Sequence, residues 1–367
     1  MQKYDIAAYI WPSYTGSEKR SRIFWEKGIG EWQSVQSAES RVPGQKLPRI
    51  PLWGYQDEAD PAVMEFQIGE ALRHGVNVFI YDWYWYDRRP FLEQCLDNGF
   101  LGAKNNGDMR FYLMWANHDA TYLWDKRNTE LSEVMWYGSQ PREEFDRVCD
   151  RVIELYFKRA NYYKIDGKPV FMIYDVKNLI DGLGGVEKTA DALKWFTNEV
   201  KKAGFPGLDI QLTMWAPNLN YSGLDSNKTD TPENDFVKKL GFTSSTHYQF
   251  CHYLWMDDEY SNILKKAKEE WYKIDSKFDI PYYPHVSIGW DNSPRMEKSM
   301  RVRNNTPEEF EKGLRMAKKY VDSHPKQVPL ITINSWNEWT ETSYMEPDNV
   351  YGYGYLNAIK KVFVDNK

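Results

Sequence analysis

Two glutamates stand three residues apart in the segment Trp336-Asn337-Glu338-Trp339-Thr340-Glu341. If that segment opens a helical turn, positions three apart share one side. Two close carboxyls resist ionising together, so one of them keeps its proton toward neutral pH. A protonated carboxyl can donate to a leaving oxygen while a second carboxylate serves the other face of a sugar ring. The spacing therefore fits acid–base cleavage of a glycosidic bond. Two glutamates after a strand also suit a helix N-terminus, where the dipole favours negative charge. Their surroundings decide between these readings.

Those surroundings repeat along the chain. Short apolar runs end again and again in an aromatic beside a carboxylate, amide or imidazole. Tyr9 and Trp11 close the first run, and Glu31 and Trp32 lie in the long loop after it. Asp82, Trp83, Tyr84 and Trp85 close the second, and Trp115, Asn117 and His118 the third. Tyr174 closes the fourth, Trp215 the fifth, and His247 with Tyr248 the sixth. Trp290 and Asp291 follow the seventh, and Asn337 stands beside Glu338 after the eighth, with Trp339 next. Trp and Tyr suit sites that are apolar on one side and wet on the other. Sugars offer C–H faces between hydroxyl edges, so these rings are candidate stackers and the polar groups candidate hydroxyl ligands. Each residue has a plainer alternative: wedge packing for a ring, helix capping for an aspartate, an internal hydrogen bond for a histidine.

The elements that would position them alternate. Strand-like runs cover 4–10, 76–82, 110–116, 169–174, 209–214, 242–248, 282–288 and 328–334. Helical patterns lie between or after them at 61–74, 142–160, 186–203, 257–277, 307–323 and 356–363. Strand–helix alternation argues for a parallel sheet with crossover helices. Nearly continuous apolar runs are expected where a strand is covered on both faces. A doubly wound open sheet usually carries a Gly-rich phosphate turn after its first strand; here Trp11-Pro12-Ser13-Tyr14 stands there. The expected fold is a single (β/α)₈ barrel over 1–367, with long irregular loops at 11–60 and 217–232. In such barrels the active site lies at the C-terminal ends of the strands, where the aromatic–polar clusters fall.

Composition excludes other classes. The 367 residues carry a net charge of -6 and no long block of one sign, which argues against nucleic-acid binding through phosphates. No stretch reaches the roughly 18 apolar residues of a membrane helix. Cys95, Cys149 and Cys251 are scattered and odd in number, giving neither a CxxC pair nor zinc spacing. HExxH and EF-hand patterns are absent as well, so no metal or cofactor is expected. The 16 Trp, 26 Tyr and 17 Phe point instead to an oligosaccharide or polysaccharide partner. The sequence leaves the compartment open: a periplasmic or secreted location is favoured if a leader has been removed, a cytoplasmic one otherwise.

Several segments carry a resemblance. FWEKGIGEWQSV at 24–35 looks like the GFTEW-type loop of WbsX-like proteins, and 75–86 resembles their strand with a Tyr/Trp-rich end. Trp115-Ala116-Asn117 is similar to their CWAN element, and DGKPVF at 166–171 to their DGKP lead-in. WNEWTE at 336–341, followed by Glu346-Pro347, resembles an element shared with glycoside hydrolase family 99. These markers run in order over nearly the whole chain. The resemblance implies a (β/α)₈ barrel with retaining, endo-acting α-mannosidase-like chemistry. In that scheme the first glutamate, here Glu338, deprotonates the sugar 2-hydroxyl. The hydroxyl then attacks the anomeric carbon to give a 1,2-anhydro sugar. The second, here Glu341, is the general acid and later the base.

The segments also depart from the pattern. Gly28-Ile29-Gly30 stands where Gly-Phe-Thr is usual, Asp82-Trp83-Tyr84-Trp85 stands where relatives more often carry Tyr or His, and Thr340 occupies a position that is commonly His. WbsX-like proteins also carry a glycosyltransferase label from their gene neighbourhoods. The expectation is a glycosidase acting on an α-linked glycan, mannose-type among the candidates. A glycosyltransferase of polysaccharide biosynthesis and a non-catalytic glycan-binding barrel are the rivals.

Overall fold

The structure, a computed structural model, describes residues 3–215 and 233–365. Eight strands form the barrel: β1 Asp5–Ile10, β2 Val78–Tyr86, β3 Arg110–Trp115, β4 Lys168–Ile173, β5 Asp209–Met214, β6 Ser244–His247, β7 His285–Ser287 and β8 Leu330–Asn334. Their order is β6-β5-β4-β3-β2-β1-β8-β7, with every neighbouring pair parallel. A parallel bridge between Ser245 and Tyr282 joins β6 to the lead-in of β7 and closes the ring. The expected (β/α)₈ barrel is what the chain forms. Side chains linking strands that are not neighbours must cross its interior. Tyr9 Oη donates to the His247 carbonyl at 2.9 Å, Tyr112 Oη to Gln211 Oε1 at 3.0 Å, and the Thr246 and Thr332 hydroxyls meet at 2.7 Å.

The outer helices are α1 Pro61–His74, α2 Arg142–Val152, α3 Val176–Leu183, α4 Val186–Lys202, α5 Glu233–Leu240, α6 Tyr260–Lys277, α7 Pro307–Asp322 and α8 Gly354–Phe363. Their boundaries follow local chemistry. Asp60 caps α1 by accepting from Ala62 N, Pro61 opens the helix, and Gly75 ends it at φ 97°, a left-handed position that costs glycine little. Thr306 and Pro307 open α7 in the same way. One connected core of buried side chains runs from Tyr4 to Phe363.

The structure differs from the sequence reading in five elements. The expected helix over 142–160 is α2 followed by a wider π-helical turn, Ile153–Phe157. Two helices that the sequence pattern passed over, α3 and α5, follow β4 and β5. Strand seven is three residues long. Strand two runs past Asp82 to Tyr86, because Arg89–Phe91 folds back antiparallel onto Tyr84–Tyr86. The turn between them puts Asp87 at φ 53° and Arg88 at φ 62°, the two positive values of a tight hairpin. The segment 83–86 is therefore strand, and its side chains alternate between faces. No helix of the described residues is long and apolar enough to cross a membrane. The expected loop at 217–232 lies outside the described residues.

Candidate active site

A cavity of about 240 Å³ opens at the C-terminal ends of the strands. Trp11, Asp82, Tyr84, His118, Tyr174, Trp215, Tyr248, Glu338 and Glu341 line it, together with Arg295, Trp124, Leu123, Met114 and Ala116. Alternation along β2 sorts its residues. Asp82 and Tyr84 face the cavity, while the Trp83 and Trp85 indoles turn outward and donate to Glu93 at 2.9 Å and Glu144 at 3.1 Å. On β3, Met114 lines the cavity and Trp115 packs outward against Phe145 and Phe171.

Arg295 organises the floor. It comes from the loop after β7 and is 4% exposed. Its Nε donates to Glu31 Oε1 at 2.6 Å and its Nη2 to Glu31 Oε2 at 3.0 Å. The same Nη2 reaches Glu338 Oε1 at 2.7 Å, and Nη1 reaches Glu341 Oε1 at 3.0 Å. Glu31 is fully buried and also accepts from the Trp11 indole and the Ser13 hydroxyl. Gly30 delivers it: at φ 61° a Cβ would lie 1.9 Å from the Ser13 carbonyl, and that carbonyl accepts from Glu31 N.

The glutamate pair sits on a short hairpin. Asn337–Glu338 pairs antiparallel with Ser343–Tyr344, and Trp339–Glu341 form one tight turn between them. The turn brings both carboxyls to Arg295, as the three-residue spacing suggested. Asn337 anchors the hairpin by accepting from Trp11 N and donating to the Trp11 carbonyl and to Glu58. The Trp339 indole lies on the Tyr344 ring and donates to Glu346 at 2.6 Å.

Electrostatics follow from burial. One guanidinium faces three glutamate side chains in a site largely shielded from water, so protons are held tightly. Burial, against the pull of Arg295, pushes the Glu341 carboxyl up to about 7. Its Oε2 has no protein hydrogen-bond partner among the described residues. Burial and then the Glu341 carboxyl hold Glu338 well above the usual range. Asp82 is raised by burial as well, and the Tyr248 hydroxyl, 2.8 Å from its Oδ2, opposes the rise. That hydroxyl stands 3.4 Å from Glu338 Oε2, so Asp82, Tyr248 and Glu338 form one polar wall. Burial lowers His118, which keeps the imidazole neutral.

The model of the family described as glycosyltransferase WbsX matches residues 6–359. The chain belongs to the WbsX family. Two proteins named WxcX, from two strains of Xanthomonas campestris pv. campestris, are each 24% identical to it over 345 residues. The match takes in 92% of this chain and 46% of theirs, so this WbsX chain spans about half the length of those relatives. Among solved structures it is similar to a glycoside hydrolase-like protein (TM-score 0.63, 15% identity, 99% of this chain and 94% of that one). It is also similar to a family 99 endo-α-mannosidase from Bacteroides thetaiotaomicron in complex with bis-tris-propane (TM-score 0.63, 13% identity, 99% and 96%). A rutinosidase from Aspergillus niger follows (TM-score 0.51, 11% identity, 99% and 97%). At these identities the likeness is one of fold.

Within the WbsX chain, other expected site residues stand apart from the cavity wall. Tyr9 lies beneath Tyr248 inside the barrel, and His247 is bound by the Tyr282 hydroxyl at 2.7 Å under the Tyr253 ring. Trp32 donates to the Gln56 carbonyl and packs on Tyr14. Asn117 ties the end of β3 to Asp175 through paired hydrogen bonds at 2.7 and 2.8 Å. These four, with Trp83, Trp85, Trp115 and Asn337, all expected as sugar contacts, stand outside the cavity lining. In each case an internal partner or a packed ring holds the side chain. Trp290 and Asp291 line a neighbouring cavity. Arg295 was missed. Its one sequence signal is its place four residues after Asp291 in the same strand-to-helix loop.

Proposed function

We propose that the chain cleaves an α-linked glycan with retention, mannose-type sugars being the first candidates. The observation that carries this is Arg295 gathering Glu338 and Glu341 at the floor of an aromatic cavity. Glu341, held up to about 7, is protonated in much of the population at neutral pH, as a general acid must be. It protonates the glycosidic oxygen, and the C1–O bond breaks with its electron pair going to the leaving group. With Glu341 protonated, the charge that adds to burial in raising Glu338 is gone and Arg295 favours its carboxylate; that carboxylate takes the proton of the 2-hydroxyl, whose oxygen closes on C1, or attacks C1 directly. Water then attacks C1 and gives its proton to Glu341. Glu338 returns its proton to O2, or leaves C1 as the carboxylate. Asp82, Tyr248 and His118 bind hydroxyls, and Tyr84, Trp124 and Trp215 offer ring faces.

The family's description favours a second reading, transfer. There a sugar hydroxyl takes the place of water in the second half. The same two glutamates serve it.

The test is hydrolysis of a panel of α-mannans and other α-linked glycans, with Glu338→Gln and Glu341→Gln in parallel. Cleavage by the wild type and its loss in both variants supports hydrolysis. New, longer products without net hydrolysis support transfer. Full turnover in both variants overturns the assignment.

A further inference from the structure

A second cavity, about 330 Å³, lies on the other side of the loop that carries Glu341. The two are joined covalently: Glu341 lines the first and Thr342 the second. Asp291 N donates to the Glu341 carbonyl at 2.8 Å, and Thr342 Oγ1 to the Asp291 carbonyl at 2.9 Å. The loop that supplies Trp290, Asp291 and Arg301 to this cavity also delivers Arg295 to the first.

Its charge runs against that of the chain. Lys46, Arg49, Arg301 and Arg303 line it, against the single carboxylate of Asp291. Asp291 is already satisfied by Gln45 and Ser293. Arg49 is paired with Asp348, and Arg303 with Asp257 and Glu259. Lys46 and Arg301 have no acidic partner among the described residues. Lys46 stands 5.8 Å from the Tyr351 ring centre, and Arg301 makes a long 3.4 Å contact to the Pro43 carbonyl. The Arg49 Nε–H is buried without an acceptor among the described residues. Unspent cations in a concave site call for an oxyanion. The rest of the lining, the rings of Trp290 and Tyr351 and the amides of Gln45, Asn304 and Asn305, suits a sugar ring.

We infer that this cavity is a subsite for an acidic sugar unit, carrying a carboxylate or a phosphate ester, of the glycan whose neighbouring linkage reaches Glu341. The inference rests on the glycan-cleaving reading for the role of the site, but its test needs no turnover. Calorimetric titration of the full chain with D-glucuronate, D-mannose 6-phosphate, D-glucose, D-mannose and uridine diphosphate separates the sources.

At least one charged sugar is expected to bind at about millimolar affinity, with neutral sugars weaker. Lys46→Gln/Arg301→Gln is expected to weaken that binding about tenfold or more, with its melting temperature unchanged. Glu341→Gln is expected to leave the binding intact, and the tighter of the two charged sugars identifies the acid. Lys46→Gln alone, at an exposed position, provides the same readout if the double variant folds poorly. No binding of either charged sugar, equal binding of neutral sugars, undiminished binding in the variants, or tighter binding of uridine diphosphate would each overturn the inference. Those results would leave the assignment of Glu338 and Glu341 to be judged by hydrolysis alone.

Discussion

Arg295 Nη1 and Glu341 Oε1, from residues 46 positions apart, meet at 3.0 Å in a site where the arginine is 4% exposed. The pairing opposes the effect of burial on Glu341 and keeps its carboxyl near 7 rather than higher.

Replacing Arg295 by Gln therefore has two expected consequences. Loss of the fixed cation lowers kcat/KM by about 10²–10³, the scale of a preorganised charge contact. It also moves the alkaline limb of the pH–rate profile upward, because Glu341 then holds its proton to higher pH. Arg295→Lys recovers little, since one ammonium lacks the planar fork that reaches three carboxyls. Rate profiles for the three proteins check this. A limb that stays in place would sink the electrostatic account.

Glu341 also leaves a mark on stability. Its folded pKa is about 7 against an ordinary value of 4.5, so between those values the folded chain holds more proton than the unfolded one. The stabilisation is complete below 4.5 and disappears as pH rises through 7. Glu341→Gln removes this dependence. Its melting temperature should exceed that of the wild type by about 2–5 °C near pH 8, and by less near pH 5. Thermal scans at the two pH values give the comparison.

The alternation along β2 is testable by pairing neighbours. Trp83→Phe removes the hydrogen bond to Glu93 and should cost about 1–2 kcal/mol of stability, with KM unchanged. Tyr84→Ala opens the cavity wall and should raise KM about tenfold through the lost aromatic face. Chemical denaturation and initial rates on a cleaved substrate distinguish them. A KM effect from Trp83 alone would reverse the assignment of faces.

Glu346 is pushed up to about 8 by burial, against the hydrogen bond from Trp339. It is mostly neutral at pH 7, so Glu346→Gln keeps an acceptor for the indole and should be close to neutral in stability there. Glu346→Ala leaves the indole N–H unsatisfied and should cost about 2 kcal/mol. Equal losses in the two variants would show that the carboxylate charge itself is needed.

Much of this was legible in the chain. The eight strand runs, the capped starts of α1 and α7, and the Glu338–Glu341 spacing all show in local pattern, because periodicity and capping depend on near neighbours. The short seventh strand was blurred, since three residues carry too little period to read. The turn after α2 was read as more of the same helix, and α3 and α5, eight residues each, were passed over because about two turns carry little period.

The candidate site was only partly legible. Trp83 and Tyr84 are adjacent and equally aromatic, and nothing within one residue of either says that 83–86 continues as strand. The Arg89–Phe91 pairing settles it and sends the two rings to opposite faces. Asn337 and Trp339 read as sugar contacts, yet Glu58 and Glu346 hold them.

By itself the sequence determined the barrel, the end at which the candidate site opens and the spacing of the carboxyl pair, because these are written in spacing and in the residues that close each strand. Arg295 as the centre of the charge cluster, and the division of aromatics into cavity lining and support, were decided only by the tertiary structure. Both depend on contacts between residues far apart in the chain, among them the 264 positions between Glu31 and Arg295, and local pattern carries no information about which distant side chains burial brings together.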